Sequence, residues 1–237
     1  MDAARELERV LAPLAARLGA VFAFEPLPAD PCPEHLLLRL SPGERARAAA
    51  LRVAKRRRDW TGGRLAAKAA LARLLRGEGG EVPDAAAIDV AADEGRAPRV
   101  AIRGVPAPEI GVSIGHAGEL AGAAAFRGTE LGLDFEPCAP FDRALLALAL
   151  VEHERQQVHG LDGPELVTAV LGLWTAKEAA LKAARVGMAL PLGEVEVHGA
   201  LDARARTVRL GGGATYAVET FAAAGHVVSV AWAGAGR

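Results

Sequence analysis

The feature that most constrains this chain is the order of its patterns. Helix-patterned and strand-patterned stretches fall into separate blocks rather than strict strand–helix–strand alternation. Residues 3–19 place Leu7, Val10, Leu11, Leu14 and Leu18 near helical spacing. A proline-rich stretch runs from Pro26 to Pro33. Ser41-Pro42-Gly43-Glu44 then reads as a helix start, with Ser as N-cap, Pro at the first helical position and Glu three after the cap. That helix predicts to about residue 51, and a second spans about 59–75. From about residue 87, short strands separated by Gly and Pro are predicted at 87–91, 99–102, 110–115, 120–126 and 130–136. Helices return at 141–158 and 164–185, and strands close the chain at 193–199, 205–209, 215–222 and 226–233. This block order predicts an α+β fold.

Composition narrows the function classes. The 237 residues make one large domain or two small ones. The net charge is −1, without the large positive balance of a general polyanion binder. The two cysteines form neither a disulfide framework nor a Cys/His metal pattern, which fits a reducing compartment. The N-terminus mixes acidic and basic residues and lacks signal-peptide organisation. The longest apolar run, 144–151, is far short of the ~20 residues that span a bilayer. A cytoplasmic protein without membrane or nucleic-acid partners is expected. Only Lys55, Lys68, Lys177 and Lys182 are lysines among 28 basic residues. In so arginine-rich a chain, a position that stays Lys points to a need for a primary amine.

The chain also suggests an internal repeat. Trp60-Thr61 is followed by Arg64 and Lys68, and about half a chain later Trp174-Thr175 is followed by Glu178 and Lys182 at the same spacings. Read as a repeat, this predicts two similar halves with a site between them.

Four groups of residues could carry chemistry. In Leu131-Gly132-Leu133-Asp134-Phe135-Glu136-Pro137, strand alternation puts Gly132, Asp134 and Glu136 on one face. Two carboxylates there are either a solvated outer face of an edge strand or a divalent-cation site. In Trp174-Thr175-Ala176-Lys177-Glu178-Ala179-Ala180-Leu181-Lys182, Trp174, Glu178 and Lys182 form one helical stripe. Its ordinary alternatives are a Glu178–Lys182 surface pair, a Thr175–Glu178 capping box and a core Trp174. In Ser113-Ile114-Gly115-His116, a predicted strand ends in a glycine-flanked His suited to close phosphate approach. In the basic segment 45–68, Arg58, Arg64 and Lys68 recur at helical spacings near Trp60, which suits a compact phosphate pocket. Stacking aromatics for single-stranded nucleic acid are scarce there.

Together and in this order, the motifs resemble the 4′-phosphopantetheinyl transferase superfamily, in its longer, surfactin-synthetase-activating type. Gly132-Leu133-Asp134-Phe135-Glu136 resembles the family's G-(I/V)-D-(I/V)-E strand, and Trp174 to Lys182 its W-(S/T)-x-K-E-(A/S)-x-x-K helix. Gly187-Met188-Ala189-Leu190-Pro191-Leu192 follows as in the family. Ser113 to Gly118 stand where the family has N-(I/L)-S-H-(S/T)-G, Glu154 where it has a Glu in the intervening helix, and Arg58 and Gly63-Arg64 resemble its R-(E/D)-(F/W)-x-x-G-R segment. Gly115 and Ala117 replace small polar residues of the His motif, and Gly95-Arg96-Ala97-Pro98 matches the family's basic G-(K/R)-P segment only with a one-residue shift.

The resemblance implies two α+β halves related by a pseudo-twofold, 1–130 on the coenzyme A phosphate side and 131–237 carrying metal and catalytic motifs, with coenzyme A in the cleft between them. It implies a monomeric, Mg²⁺- or Mn²⁺-dependent transferase that moves the phosphopantetheine arm of coenzyme A onto a serine of an apo acyl or peptidyl carrier protein, releasing adenosine 3′,5′-bisphosphate. Asp134, Glu136 and Glu178 would hold the metal, and Asp134, Glu178 and Lys182 would form the catalytic set. His116, Ser113, Arg58, Arg64, Arg96 and Lys182 would bind coenzyme A. Lys177 lies ~100° around the helix from Glu178 and is expected beside the site rather than in it. The alternative is a catalytically degenerate coenzyme A-binding module that docks on carrier proteins, which the replacements at Gly115 and Ala117 would suit.

Overall fold

A computed structural model describes residues 2–92, 97–128, 130–141 and 149–234, with the side chain of Met188 also left out. The chain divides into two compact units, Met1–Thr129 and Glu130–Arg237. Both mix helices with antiparallel sheets, as the block order predicts for α+β.

Unit 1 begins with α1 (Ala3–Leu18), capped by the Asp2 side chain and ended by Gly19 at a left-handed φ of 60°. Strand β1 (Val21–Pro26), which sequence patterning does not separate from the proline-rich stretch, follows. The short α2 (Glu34–Leu37) leads to α3 (Pro42–Ala50), whose start is the Ser41–Glu44 capping box anticipated from the sequence. Helix α4 (Ala54–Gly77) starts five residues earlier than periodicity indicates, so the basic run 55–58 lies on the helix itself. Strands β2 (Ile88–Ala92), β3 (Pro98–Ile102) and β4 (Val105–Pro106) form one antiparallel sheet. Strands β5 (Ile110–Ala117) and β6 (Leu120–Arg127) form another with β1, in the order β1-β6-β5. Ala66, Ala67, Ala70 and Leu71 of α4 pack on Ala23, Ala121, Ala123 and Ala125. Alanine on both sides lets the helix lie close to the sheet.

Unit 2 runs through β7 (Leu131–Pro137), α5 (Glu152–Val158), α6 (Gly163–Ala183), β8 (Val195–His198), β9 (Ala205–Leu210), β10 (Thr215–Ala223) and β11 (His226–Ala233). Residues 142–148 of the helix expected at 141–158 lie outside the described residues. The five strands form one antiparallel sheet in the order β7-β11-β10-β9-β8. Leu173, Ala176, Ala180 and Leu181 of α6 cover Val195, Val197, Val208, Val218 and Ala231.

Each unit holds a buried lysine–glutamate pair with similar partners. In unit 1, Glu44 accepts from the backbone N–H of Ser41 and Val90 and pairs with Lys68 at 2.8 Å. Lys68 also donates to the carbonyls of Ala85 and Ile88. In unit 2, Glu154 accepts from the N–H of Val151 and Val197 and pairs with Lys177 at 2.6 Å. Lys177 also donates to the carbonyls of Ala149 and Leu192. Both lysine side chains are 0 % exposed. Each ammonium spends three tetrahedral donors on three acceptors, which a planar guanidinium would not match. Lys68 therefore does the work of Lys177, not of Lys182. The Trp60-Thr61 and Trp174-Thr175 spacing, which sets Lys68 opposite Lys182, does not match these contacts.

Candidate active site

Strand β7 and helix α6 bring the catalytic candidates of unit 2 together, and Gly132 sets how closely. A Cβ built there would lie 1.9 Å from the Ala179 carbonyl oxygen and 2.6 Å from the Ala183 nitrogen. Only glycine lets α6 pass so near the strand. Asp134 lies two residues along the same face, and Glu178 precedes Ala179.

The carboxylates of β7 are not the solvated face of an edge strand. Asp134 is buried. Lys182 donates to Asp134 Oδ1 at 2.6 Å and to the Leu133 carbonyl at 3.1 Å. The ion pair of Lys182 is thus with Asp134 across to the strand rather than with Glu178 along the helix. Burial, reinforced by the negative charge of Asp134, raises the Glu178 carboxyl above its ordinary range, and Lys182 opposes the shift. Thr175 lies well inside α6, so it caps nothing. Lys177 points into the core, as its offset from Glu178 implies.

Asp134 and Glu178 are hard oxygen donors, and a divalent cation would relieve their mutual repulsion. Mg²⁺ binds through one or two protein carboxylates, so this pair fits it. The full expected trio is not assembled: among the described residues, no group of three or more His, Cys, Asp or Glu side chains is arranged to hold a metal ion. Glu136 follows on the same strand, paired in register with Val227.

The phosphate candidates of unit 1 that the structure describes lie on α4 and β5. His116, near the end of β5, is half exposed, with Nδ1 3.8 Å from Asp59 Oδ2. Ser113 is buried mid-strand. Arg58 donates to the Pro28 carbonyl and to the Glu119 carboxylate. Arg64 is buried, its guanidinium 4.5 Å from the Trp60 ring centroid. Burial lowers its pKa against the charges of Glu44 and Asp89. Arg58 and Arg64 are thus engaged inside unit 1, and His116 is the most exposed of these four. Arg96 lies outside the described residues. Sequence reasoning missed Asp59, which lies beside His116 and pairs with Lys55 at 2.6 Å. Acids also answer much of the basic segment: Arg57 forms a two-pronged pair with Asp30.

No helix among the described residues is long and apolar enough to cross a membrane. A search of curated proteins found no match. The model of one protein family matches residues 130–231, nearly all of unit 2, including both acidic motifs. Unit 2 of this chain is accordingly a domain of the 4′-phosphopantetheinyl transferase superfamily.

Proposed function

We propose that the protein transfers the 4′-phosphopantetheine arm of coenzyme A to a serine hydroxyl of an apo carrier protein, giving holo-carrier and adenosine 3′,5′-bisphosphate. The observation that carries this reading is the convergence of Asp134, Glu178 and Lys182 from β7 and α6, inside the segment that matches the superfamily.

The serine oxygen forms a bond to the coenzyme's β-phosphorus, and the bond from that phosphorus to the bridging oxygen breaks. The electron pair leaves with adenosine 3′,5′-bisphosphate. Glu178 is the candidate to take the serine proton, as the carboxylate that lies with Asp134 and Lys182. Lys182, anchored on Asp134 and the Leu133 carbonyl, offers a compact positive charge to the leaving diphosphate oxygen. Asp134 and Glu178, with Glu136 beside them on the strand, would hold Mg²⁺ or Mn²⁺. The ion would supply charge neutralisation at the diphosphate. His116 is the candidate for a coenzyme phosphate. Arg58 could contribute only by leaving the Pro28 carbonyl and the Glu119 carboxylate.

The test is incubation with coenzyme A, Mg²⁺ and a panel of apo-carriers, followed by carrier mass. Gain of one phosphopantetheine on at least one carrier supports the proposal. Failure on every carrier that a control transferase modifies refutes it.

A further inference from the structure

A hydroxyl chain crosses the interface between α6 and the sheet of unit 2. Thr175 Oγ1 donates to the Leu171 carbonyl at 2.8 Å, which spends its only proton. Ser229 Oγ lies 2.7 Å from Thr175 Oγ1, so Ser229 is the donor there. Thr220 Oγ1 lies 2.8 Å from Ser229 Oγ and must donate to it in turn. Arg206, a buried cation, donates to Thr220 Oγ1 at 2.7 Å and to the Gly172 carbonyl at 3.0 Å. Every hydroxyl proton is committed, and the chain runs one way, from Arg206 to Leu171.

Two of its hydroxyls, Ser229 and Thr175, fall beside the site. Ser229 is the register partner of Asp134 across β11 and β7. Thr175 lies three residues before Glu178, on the same side of α6. The Thr175–Ser229 bond therefore ties the turn that carries Glu178 to the strand position beside Asp134.

Unit 1 shows that the fold does not need such a chain. Aligning Lys68 with Lys177 sets Ala66 opposite Thr175, and aligning Phe24-Glu25-Pro26 with Phe135-Glu136-Pro137 sets Ala23 opposite Asp134. The register partner of Ala23 is Ala123, and that of Ala123 is Ile114; these correspond to Ser229 and Thr220. Gly63 confirms the alignment, since its missing Cβ makes room for Ile114 as Gly172 faces Thr220. Where the acid is absent, all three hydroxyls are absent too, and the same layers pack with Ala and Ile. The chain as a whole has only three serines, and Ser229 is one of them.

We propose that Thr175, Ser229 and Thr220, directed by Arg206, are positioning residues that fix Glu178 against Asp134. This rests on the transferase reading. The test compares Thr175→Val and Ser229→Ala, which break the chain, with Thr175→Ser, which keeps the hydroxyl, and with Val208→Ala, a core deletion that leaves every member of the chain in place. Each full-length variant is measured for melting temperature, Mn²⁺ dissociation constant, kcat and KM for coenzyme A, and its crystal structure is solved. We expect Thr175→Val and Ser229→Ala to weaken Mn²⁺ binding by about 10- to 100-fold. We expect kcat to fall by about 100-fold with KM little changed, and the separation of Glu178 and Asp134 to change. Thr175→Ser should restore all three, and Val208→Ala should lower only the melting temperature. The proposal is overturned if the chain-breaking variants leave the Glu178–Asp134 separation as it is, or lose no more than Val208→Ala does. If the wild type modifies no carrier and binds no Mn²⁺, the transferase reading falls, and the crystal structures alone decide the chain.

Discussion

Replacing Gly132 by Ala tests how the site is assembled. The added methyl carbon would start 1.9 Å from the Ala179 carbonyl oxygen, whereas real Cβ contacts are essentially never under 3.0 Å. The obstacle is helix backbone, which no rotamer change can move aside. Helix α6 must therefore withdraw from β7 by about 1 Å, carrying Glu178 away from Asp134. A displacement of that size at a reacting centre costs roughly 100-fold in rate, about 2.7 kcal/mol. Overpacking adds a stability loss of about 1–3 kcal/mol. The assay is single-turnover transfer to a responsive carrier beside a thermal melt followed by circular dichroism. Turnover and melting temperature both near those of the wild type would refute the close-approach argument.

Three further outcomes are expected. In metal-free protein, Glu178→Gln should melt above the wild type at pH 8, with the gap closing on acidification. The folded state holds the Glu178 proton more tightly than the unfolded chain does, so this group's contribution is full at low pH and is lost as pH rises through the raised value. A gap that widens toward low pH would contradict the raised pKa. Mg²⁺ at about 100 times its dissociation constant should stabilise the wild type by about 2.7 kcal/mol and leave Asp134→Asn with much less, read as the shift in melting temperature. Lys177→Met and Lys68→Met should each destabilise by about 3–5 kcal/mol, because each strands a buried carboxylate, Glu154 or Glu44. Denaturant unfolding measures this, and losses below about 1 kcal/mol would show that the pairs are dispensable.

Much of the fold was legible where local chemistry acts alone. The Ser41 capping box, most of the later strands and the long helix of unit 2 follow from signals within a few residues of themselves. Strand β1 was not legible, because its short apolar run abuts prolines and becomes a strand by pairing with β6. The retained lysines were half legible. Their scarcity marked them, but only tertiary contacts show that Lys68 and Lys177 neutralise buried glutamates while Lys182 serves Asp134. Alternation and helical spacing singled out Asp134, Glu136 and Glu178, and the family resemblance is what gave them a site role. The Gly132 approach and the Ser229 hydroxyl chain could not, since both are relations between an element and a distant neighbour.

The most direct test of the account is the mass of apo-carriers after incubation with coenzyme A and Mg²⁺, for the wild type and for Glu178→Ala side by side. The wild type should add one phosphopantetheine to a responsive carrier, and Glu178→Ala, still folded, should add none at the same time point. Equal modification by both proteins would contradict the placement of the chemistry on β7 and α6. No modification by the wild type, on carriers that a control transferase converts, would contradict the proposed transfer itself.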